Sequence, residues 1–508
     1  LSTPAAGLRE FRLLPRYTPV GGGMRDVRLE TRLCRDPDGG YLPLETPIVS
    51  AAMQSVTGRD MAVAMARLGG IGVLPVSQPI EAQCDAVRAV KRFKAGFQTD
   101  IVTLAPDQSL AEVSALMRET GFSTFPVTDT GVFHGRLLGV LTDKDFDPRS
   151  DGECSVADRM KRDVQTGVDL DDLEQANRLM IDYGRGFLPI VSSEGTLLSV
   201  VFKRDRDKHL EHPGESVDAE KRLRVAAAVS THPEDRERVI ALAECDVDLL
   251  VIDASDGHTE FQRQMIGWIK ERTGLPVIGG NVVTAEGFDF LAESGADAVK
   301  VGMGIGSGCT TQEVKATGRG QATALYEVAC ARARRFEAHG DYVPVLGDGG
   351  MRGPADMVVA LALGADALML GNLLARFTES PGRLIRSPEG ETVKEYWMEG
   401  TLRARNHRRY AQLEGTFFEE GVAGTVPHEG SAYDGLPTFA SMLRSALSTA
   451  GCRTIRELHR SAVLEPQSEA ALRTADIHGL LSVADSGAEF EGASRNRAPV
   501  GLHPCRAA

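Results

Sequence analysis

The sequence predicts an α/β protein: a (β/α)8 (TIM) barrel interrupted once by a smaller domain made of two tandem copies of one motif. Three observations predict it. Eight short, almost wholly apolar runs recur along the chain, with helical spacing between them. One interval between consecutive runs is far longer than a βα unit needs. That interval repeats its own pattern.

The eight runs are Ile48–Met53, Gly70–Leu74, Arg224–Val229, Leu249–Ala254, Pro276–Val282, Ala298–Gly304, Val343–Asp348 and Ala367–Gly371. Each reads as a parallel strand buried on both faces, which is why apolar residues follow one another instead of alternating. Segments between them, such as Glu234–Glu244, Glu286–Glu293 and Pro354–Leu363, carry apolar residues at helical spacing. An open doubly wound sheet is the competing arrangement. The count of eight favours closure into a barrel.

The long interval lies between the second and third runs. An inserted domain is expected at 97–212, with halves at 97–159 and 160–212. The barrel is then split into 1–96 and 213–482. Within the insert, Leu110–Asp145 runs helix, strand, strand, with Thr124–Val127 and Leu137–Asp145 as the strands. Leu173–Asp205 repeats the order, with Phe187–Val191 and Leu197–Asp205. The copies resemble a pair of cystathionine-β-synthase-type (CBS) modules. In such modules a Thr-x-x-Asp turn can hold a nucleotide ribose, and Thr142 to Asp145 fits. The second copy reads Phe202-Lys-Arg-Asp205 and lacks the Thr. An adenine or guanine nucleotide is the partner this implies, and a ligand-free structural insert is the alternative. Beyond the eighth run, the stretch at about 383–433 is irregular and rich in Gly, Arg and Glu, the composition expected of a mobile flap. The Gly/Ala/Ser/Arg-rich tail at 483–508 is expected to be disordered.

Composition limits the function. Lys and Arg total 57 against 71 Asp and Glu, a net charge of −14, which disfavours non-specific binding of nucleic acid or an anionic membrane. A phosphorylated metabolite remains compatible, because a ring of backbone N–H groups can hold it. No apolar run reaches membrane-spanning length, and Leu1–Pro15 lacks the order of a signal peptide. A cytoplasmic protein is expected. The eight cysteines are scattered and form no C-x-x-C pair, so they read as free thiols. His407 has no His or Cys partner at metal-ligand spacing and reads as a loop histidine.

The densest chemical signal is Lys300-Val-Gly-Met-Gly-Ile-Gly-Ser-Gly-Cys-Thr-Thr311. Glycines let main chain approach a ligand closely. Cys309 is a potential nucleophile, with Ser307, Thr310 and Thr311 around it, and covalent catalysis splits a hard substitution into easier steps. A phosphate loop with an incidental Cys is the alternative at this point. Gly347-Asp-Gly-Gly350 and Met369-Leu-Gly-Asn372 close the seventh and eighth runs. Those are the loops that form the phosphate cradle of many barrels. Asp348 at a strand tip can hold ribose hydroxyls; its competing reading is a helix N-cap.

Pro47–Met53, Gly279-Gly-Asn-Val282, the Cys309 loop, Gly347–Gly350 and Met369–Gly371 stand in chain order. As a set they resemble the IMP dehydrogenase/GMP reductase family, over about Leu13 to Leu458. The resemblance implies that Cys309 attacks C2 of IMP and that NAD⁺ takes the hydride. Water then cleaves the adduct to xanthosine monophosphate. It implies phosphate contacts from Ser307, Gly350, Gly371 and Tyr396, a ribose contact from Asp348, purine contacts from Glu399, Gly400 and Glu420, and further substrate contacts from Gly349 and Asn372. It implies that Asp253, Gly302, Met303 and Gly304 meet NAD, and that carbonyls of Gly304, Gly306 and Cys309 hold K⁺. Arg409 and Tyr410, helped by Thr311, would activate water. The resemblance also implies a homotetramer, with octamers through the inserts as a further level.

Some positions depart from the family pattern. Gly308 stands for Ile, Gln312 for Arg, and Asn372 for a small residue or Arg. At the C-terminus, Leu472–His478 replaces a Glu-Gly-Gly segment that helps hold the cation in relatives. A GMP reductase is the nearest rival. Such enzymes generally lack the Arg-Tyr pair and usually lack the insert, and on both counts a dehydrogenase is expected. A nucleotide-sensing barrel without catalysis is the third reading.

Overall fold

The structure, a computed structural model, describes residues 4–475 except 94–96, 99–100, 121, 149, 171–172, 185, 203–213, 389 and 406–418. The expected Arg409 and Tyr410, His407, the end of the second copy (203–205) and the tail at 483–508 lie outside the described residues.

Eight parallel strands close into a barrel: β1 (Ile48–Ser50), β2 (Ile71–Leu74), β3 (Ala226–Val229), β4 (Leu249–Ile252), β5 (Val277–Val282), β6 (Ala298–Val301), β7 (Val345–Asp348) and β8 (Ala367–Leu370). They follow one another around the ring in chain order, and β8 pairs back with β1 through Leu368 opposite Ile48. Nearly every strand residue is buried, as the unbroken apolar runs require. Helices such as Asp235–Ala243, Ala285–Glu293 and Pro354–Ala362 lie between strands, each within one residue of the bounds read from spacing. Thr259, Thr284 and Thr454 each cap a helix with a side-chain oxygen.

An antiparallel hairpin, Thr31–Arg35 with Tyr41–Leu44, covers the N-terminal ends of the strands. The Arg35 N–H donates to the Asp297 carbonyl at 3.0 Å, and Thr31 Oγ1 donates to the Asp366 carbonyl at 2.6 Å. Asp366 organises this end. Its carboxylate accepts from Arg332 at 2.6 Å, from Tyr342 at 2.6 Å and from the Val345 N–H at 2.8 Å.

The stretch after β8 is more ordered than its composition suggests. Leu384–Arg386, Thr392–Trp397 and Ala423–Pro427 form a three-stranded antiparallel sheet, and Leu402–Arg405 is a helical turn. The expectation of one irregular flap over 383–433 is corrected on this point. The buried Lys394 ammonium pins the sheet to the preceding loop, donating to the carbonyls of Phe377, Thr378 and Ser380 at 2.6, 3.0 and 2.7 Å.

The chain divides into two compact units, with breaks at Arg88/Ala89 and Leu223/Arg224. The second unit is wider than 97–212 because its polar flanks fold with it. Lys91 pairs with Asp218 at 3.1 Å, and Asp218 also accepts from Arg222. Apolar periodicity carries no trace of such pairs. Inside the unit, Thr124–Thr128 pairs with Leu137–Thr142, and Phe187–Val191 pairs with Leu197–Phe202. Each hairpin bulges at the equivalent place. The copies exchange reciprocal bonds, Leu137 N–H to Gly195 and Leu197 N–H to Gly135, both at 3.0 Å. The repeat read from the sequence is thus a pseudo-twofold pair, and each copy has its own apolar core.

Asp366→Ala leaves the buried Arg332 guanidinium uncompensated. It is expected to lower stability by about 3–5 kcal/mol in denaturant unfolding. A loss below about 1 kcal/mol would mean that the hairpin end does not depend on this pair.

Candidate active site

Residues at the C-terminal ends of β1, β4, β5, β6, β7 and β8 line one cavity of roughly 220 Å³. This is the end at which barrel enzymes place their chemistry. The loop after β6 supplies Gly302, Met303, Gly304, Gly306, Ser307, Cys309 and Thr311. Asp348, Gly349 and Gly350 come from β7 and its loop, and Gly371 and Asn372 from the end of β8. Asp253 follows β4. Tyr396, Glu399, Gly400 and Glu420 come from the three-stranded sheet and its connections. Every described residue that the family resemblance assigns to the barrel's site lines this cavity; Arg409 and Tyr410 lie outside the described residues.

The path of the Cys309 loop is set by sterics. Gly302 has φ +145°, and a Cβ there would stand 2.0 Å from the Asp348 carbonyl oxygen. No side chain fits, and most are excluded by the backbone conformation as well. The departure at Gly308 has a local reason. A Cβ at Gly308 would press on Met398 at 3.0 Å, and Gly308 O accepts from the Val422 N–H at 3.0 Å. The loop and the 420–422 segment thus meet edge to edge, with Cys309 bridged to Gly421.

Cys309 Sγ lies 3.2 Å from Thr311 Oγ1. Thr311 Oγ1 donates to Glu420 Oε2 at 3.1 Å, and Lys315 Nζ sits 2.8 Å from Glu420 Oε1. A sulfur, a hydroxyl and a carboxylate therefore form one connected line. Ser307 and Tyr396 share a hydrogen bond of 3.2 Å across the cavity. Burial pushes the Tyr396 phenol up, so it stays a neutral donor for an anion.

Sequence reasoning named Lys300 but gave it no part. It is fully buried on β6, and its ammonium donates to Asp253 at 3.0 Å and to Asp348 at 2.7 Å. Burial disfavours the charged form, yet the two carboxylates outweigh it and hold the ammonium above the ordinary lysine range. Asn281 was read only as part of a motif. Its Nδ2 donates to Asp348 Oδ2 at 2.9 Å and to the Gly302 carbonyl at 2.7 Å. Asp348 is therefore no N-cap; two donors orient it into the cavity. A lysine within a run buried on both faces was the available signal. Glu399 is held by the Gln54 N–H at 2.7 Å and by the Ser77 hydroxyl.

A family model described as IMP dehydrogenase / GMP reductase domain matches residues 7–478. An inosine-5′-monophosphate dehydrogenase of Tritrichomonas foetus is 40% identical over 487 residues, covering 94% of this chain and 96% of that protein. The Schizosaccharomyces pombe enzyme of the same name is 37% identical over 489 residues, covering 92% and 91%. Among solved structures, a GMP reductase of Trypanosoma brucei in complex with guanosine 5′-monophosphate superposes with a TM-score of 0.77 at 30% identity. That match covers 94% of this chain and 99% of the other, so it extends through the insert. The insert therefore does not separate the two activities, which corrects one ground on which they were told apart from sequence. The matched length, the identities and the shared barrel agree: the chain belongs to the IMP dehydrogenase/GMP reductase family.

Proposed function

We propose that the chain is an IMP dehydrogenase that oxidises IMP to xanthosine monophosphate with NAD⁺, a step of guanine nucleotide synthesis. The observation that carries this reading is the line from Cys309 through Thr311 to Glu420 at the mouth of a phosphate-type cradle. The 40% identity to a dehydrogenase over nearly the whole chain supports it.

The IMP phosphate would rest on main-chain N–H groups near Gly349, Gly350, Gly371 and Asn372, with the hydroxyls of Ser307 and Tyr396. Asp348, oriented by Lys300 and Asn281, would accept from the ribose hydroxyls. Glu399, Gly400 and Glu420 would face the purine. Cys309 sulfur then bonds to C2. Asp253, Gly302, Met303 and Gly304 would hold NAD⁺, which would accept the hydride that C2 gives up. The product on the enzyme is a Cys309 thioimidate. In the second step a water oxygen bonds to C2, the C–S bond breaks and the thiolate leaves. The water's proton goes to Thr311 Oγ1 as that hydroxyl passes its own to the Glu420 carboxylate. Arg409 and Tyr410 remain part of the reading for water activation. Arginine is a poor base at its ordinary pKa, and the carboxylate path needs no such base.

For a monovalent cation, the carbonyls of Gly304, Gly306 and Cys309 are the neutral hard donors that K⁺ takes. Two are already engaged: Gln312 Nε2 donates to Gly304 O at 2.9 Å, and the Cys309 N–H donates to Gly306 O at 3.1 Å. Each keeps a second lone pair. The donor set thus fits K⁺, on a loop that Gln312 also ties. The insert is read as a CBS-type pair. Asp145 there accepts from Thr142 Oγ1 at 2.7 Å and pairs with Lys161 at 2.5 Å, so an adenine or guanine nucleotide would share that carboxylate. A cytoplasmic homotetramer, with octamers as a further level, completes the reading. No described helix is long and apolar enough to cross a membrane.

A GMP reductase is the second reading, favoured by the structural neighbour. NADH formation from IMP and NAD⁺ decides between them, and activity only with GMP and NADPH would reject our choice. Cys309→Ser is expected to lower NADH formation at least about a thousandfold and to abolish the trapped adduct in mass spectrometry. Glu420→Gln is expected to keep a pre-steady-state burst of NADH while slowing turnover about ten- to hundredfold; loss of the burst would remove Glu420 from the hydrolytic step. Replacing K⁺ by Na⁺ is expected to slow turnover without stopping it, and Gln312→Ala to steepen that dependence. Equal rates in both salts for both proteins would remove the cation from the scheme.

A further inference from the structure

A second, larger cleft of roughly 840 Å³ opens at the other end of the barrel. It lies between the Thr31–Arg35/Tyr41–Leu44 hairpin, the C-terminal part of the helix Gln321–His339 and the helix Ile455–Ser461. None of its lining residues belongs to the Cys309 cavity. It has no part in the reaction proposed above, and only the controls of its test rest on that reading.

Its charge is opposite to that of the chain as a whole. Four arginines line it, Arg32, Arg332, Arg456 and Arg460, against two carboxylates, Glu30 and Asp366. Asp366 is already spent on Arg332 and Tyr342. Among the described residues, Arg32, Arg456 and Arg460 have no carboxylate or hydrogen-bond partner for their guanidinium groups. Arg456 and Arg460 stand one turn apart on the same helix and face the same cleft.

Arg32 carries the argument furthest. Its guanidinium lies 4.4 Å from the Tyr41 ring centroid and 5.6 Å from that of Tyr342. Stacking on aromatic faces fixes the plane of a guanidinium and leaves its edge, with all the N–H donors, free to bind. The residue is half-buried and lines the cleft. Donors that face an open cleft can be met by water, and a bound anion would exchange that water for charge-assisted hydrogen bonds. Beside it, Phe336 exposes half its surface and packs edge-on against Tyr342 at 5.9 Å. That ring is an open shelf for a second planar group.

We propose that this cleft binds a nucleoside polyphosphate, the phosphates on Arg32, Arg456 and Arg460 and the base on Phe336. Three unpaired guanidinium groups match several phosphate oxygens in the bidentate way that arginine favours. An isolated inorganic ion would leave the aromatic shelf unused. A nucleotide uses both, and the cavity has room for one.

The test uses the full chain carrying Asp145→Ala in the insert and saturated with IMP at the Cys309 cavity. Calorimetric titration with ATP, GTP and inorganic tripolyphosphate follows. The expected result is one nucleotide site per chain. Adding Arg456→Glu and Arg460→Glu is expected to raise its Kd at least about tenfold, with turnover of IMP retained as proof of folding. Phe336→Ala is expected to weaken nucleotide binding and to leave tripolyphosphate binding unchanged. Nucleotide affinity unaltered by the arginine reversals, or no binding of either nucleotide at millimolar concentration, would overturn the proposal. Tripolyphosphate binding as tightly as nucleotide would overturn the role given to Phe336.

Discussion

One buried ammonium holds the catalytic end of this barrel together. Lys300 reaches from β6 to Asp253 after β4 and to Asp348 at the tip of β7, so three of the eight strand ends share one charge. Removing a lysine from water is expensive, and only the two carboxylates make the charged form tolerable. Because its folded pKa lies above the ordinary lysine value, the triad's contribution is full below that value. It is lost only as pH rises through the raised one. The orientation of Asp348 follows from this triad and from Asn281. Any ribose that binds meets a carboxylate already aimed, so little ordering remains to be done on binding.

The second constraint is steric. Gly302 cannot carry a side chain, because the Asp348 carbonyl occupies that space. The loop after β6 therefore passes flush against the loop after β7. Cys309 is thereby presented between the cradle and the 420–422 segment. A Cβ at Gly421 would stand 2.5 Å from the Met398 Cβ, so that position requires glycine, while Cβ atoms at Gly308 and Gly306 would meet the same side chain at 3.0 and 3.2 Å. The nucleophile is positioned by what its neighbours leave out as much as by what they contribute.

These two constraints explain what the sequence made legible. Parallel strands buried on both faces must be apolar throughout, so the eight runs stood out and their order around the barrel followed. The glycine loops stood out because close approach needs them, and with them came Cys309, Asp348 and Gly371. The sheet over 384–427 did not stand out. Leu384–Arg386 is fully exposed and Ala423–Pro427 nearly so, and neither shows the alternation of a half-buried strand. The flanks of the insert were missed because ion pairs such as Lys91–Asp218 leave no periodic trace. Lys300 is hard to see for the opposite reason: it heads a glycine-rich motif whose single cysteine dominates the chemical signal.

The same reasoning separates the two ends of the barrel. A chain of net charge −14 repels anions at long range. Each anionic ligand must therefore be drawn by a local field strong enough to overcome the global one. At the C-terminal end the proposed cradle would use main-chain N–H groups and neutral hydroxyls, which can bind phosphate without repelling a second anionic ligand beside it. At the N-terminal end that field would come from the guanidinium groups of the cleft that have no carboxylate partner. Arg332 shows the structural use of arginine there, paired and buried. Arg32 is half-buried and, in place of a carboxylate, has the rings of Tyr41 and Tyr342 against its guanidinium. Its donors remain open to the cleft, and an anion is what their chemistry receives best.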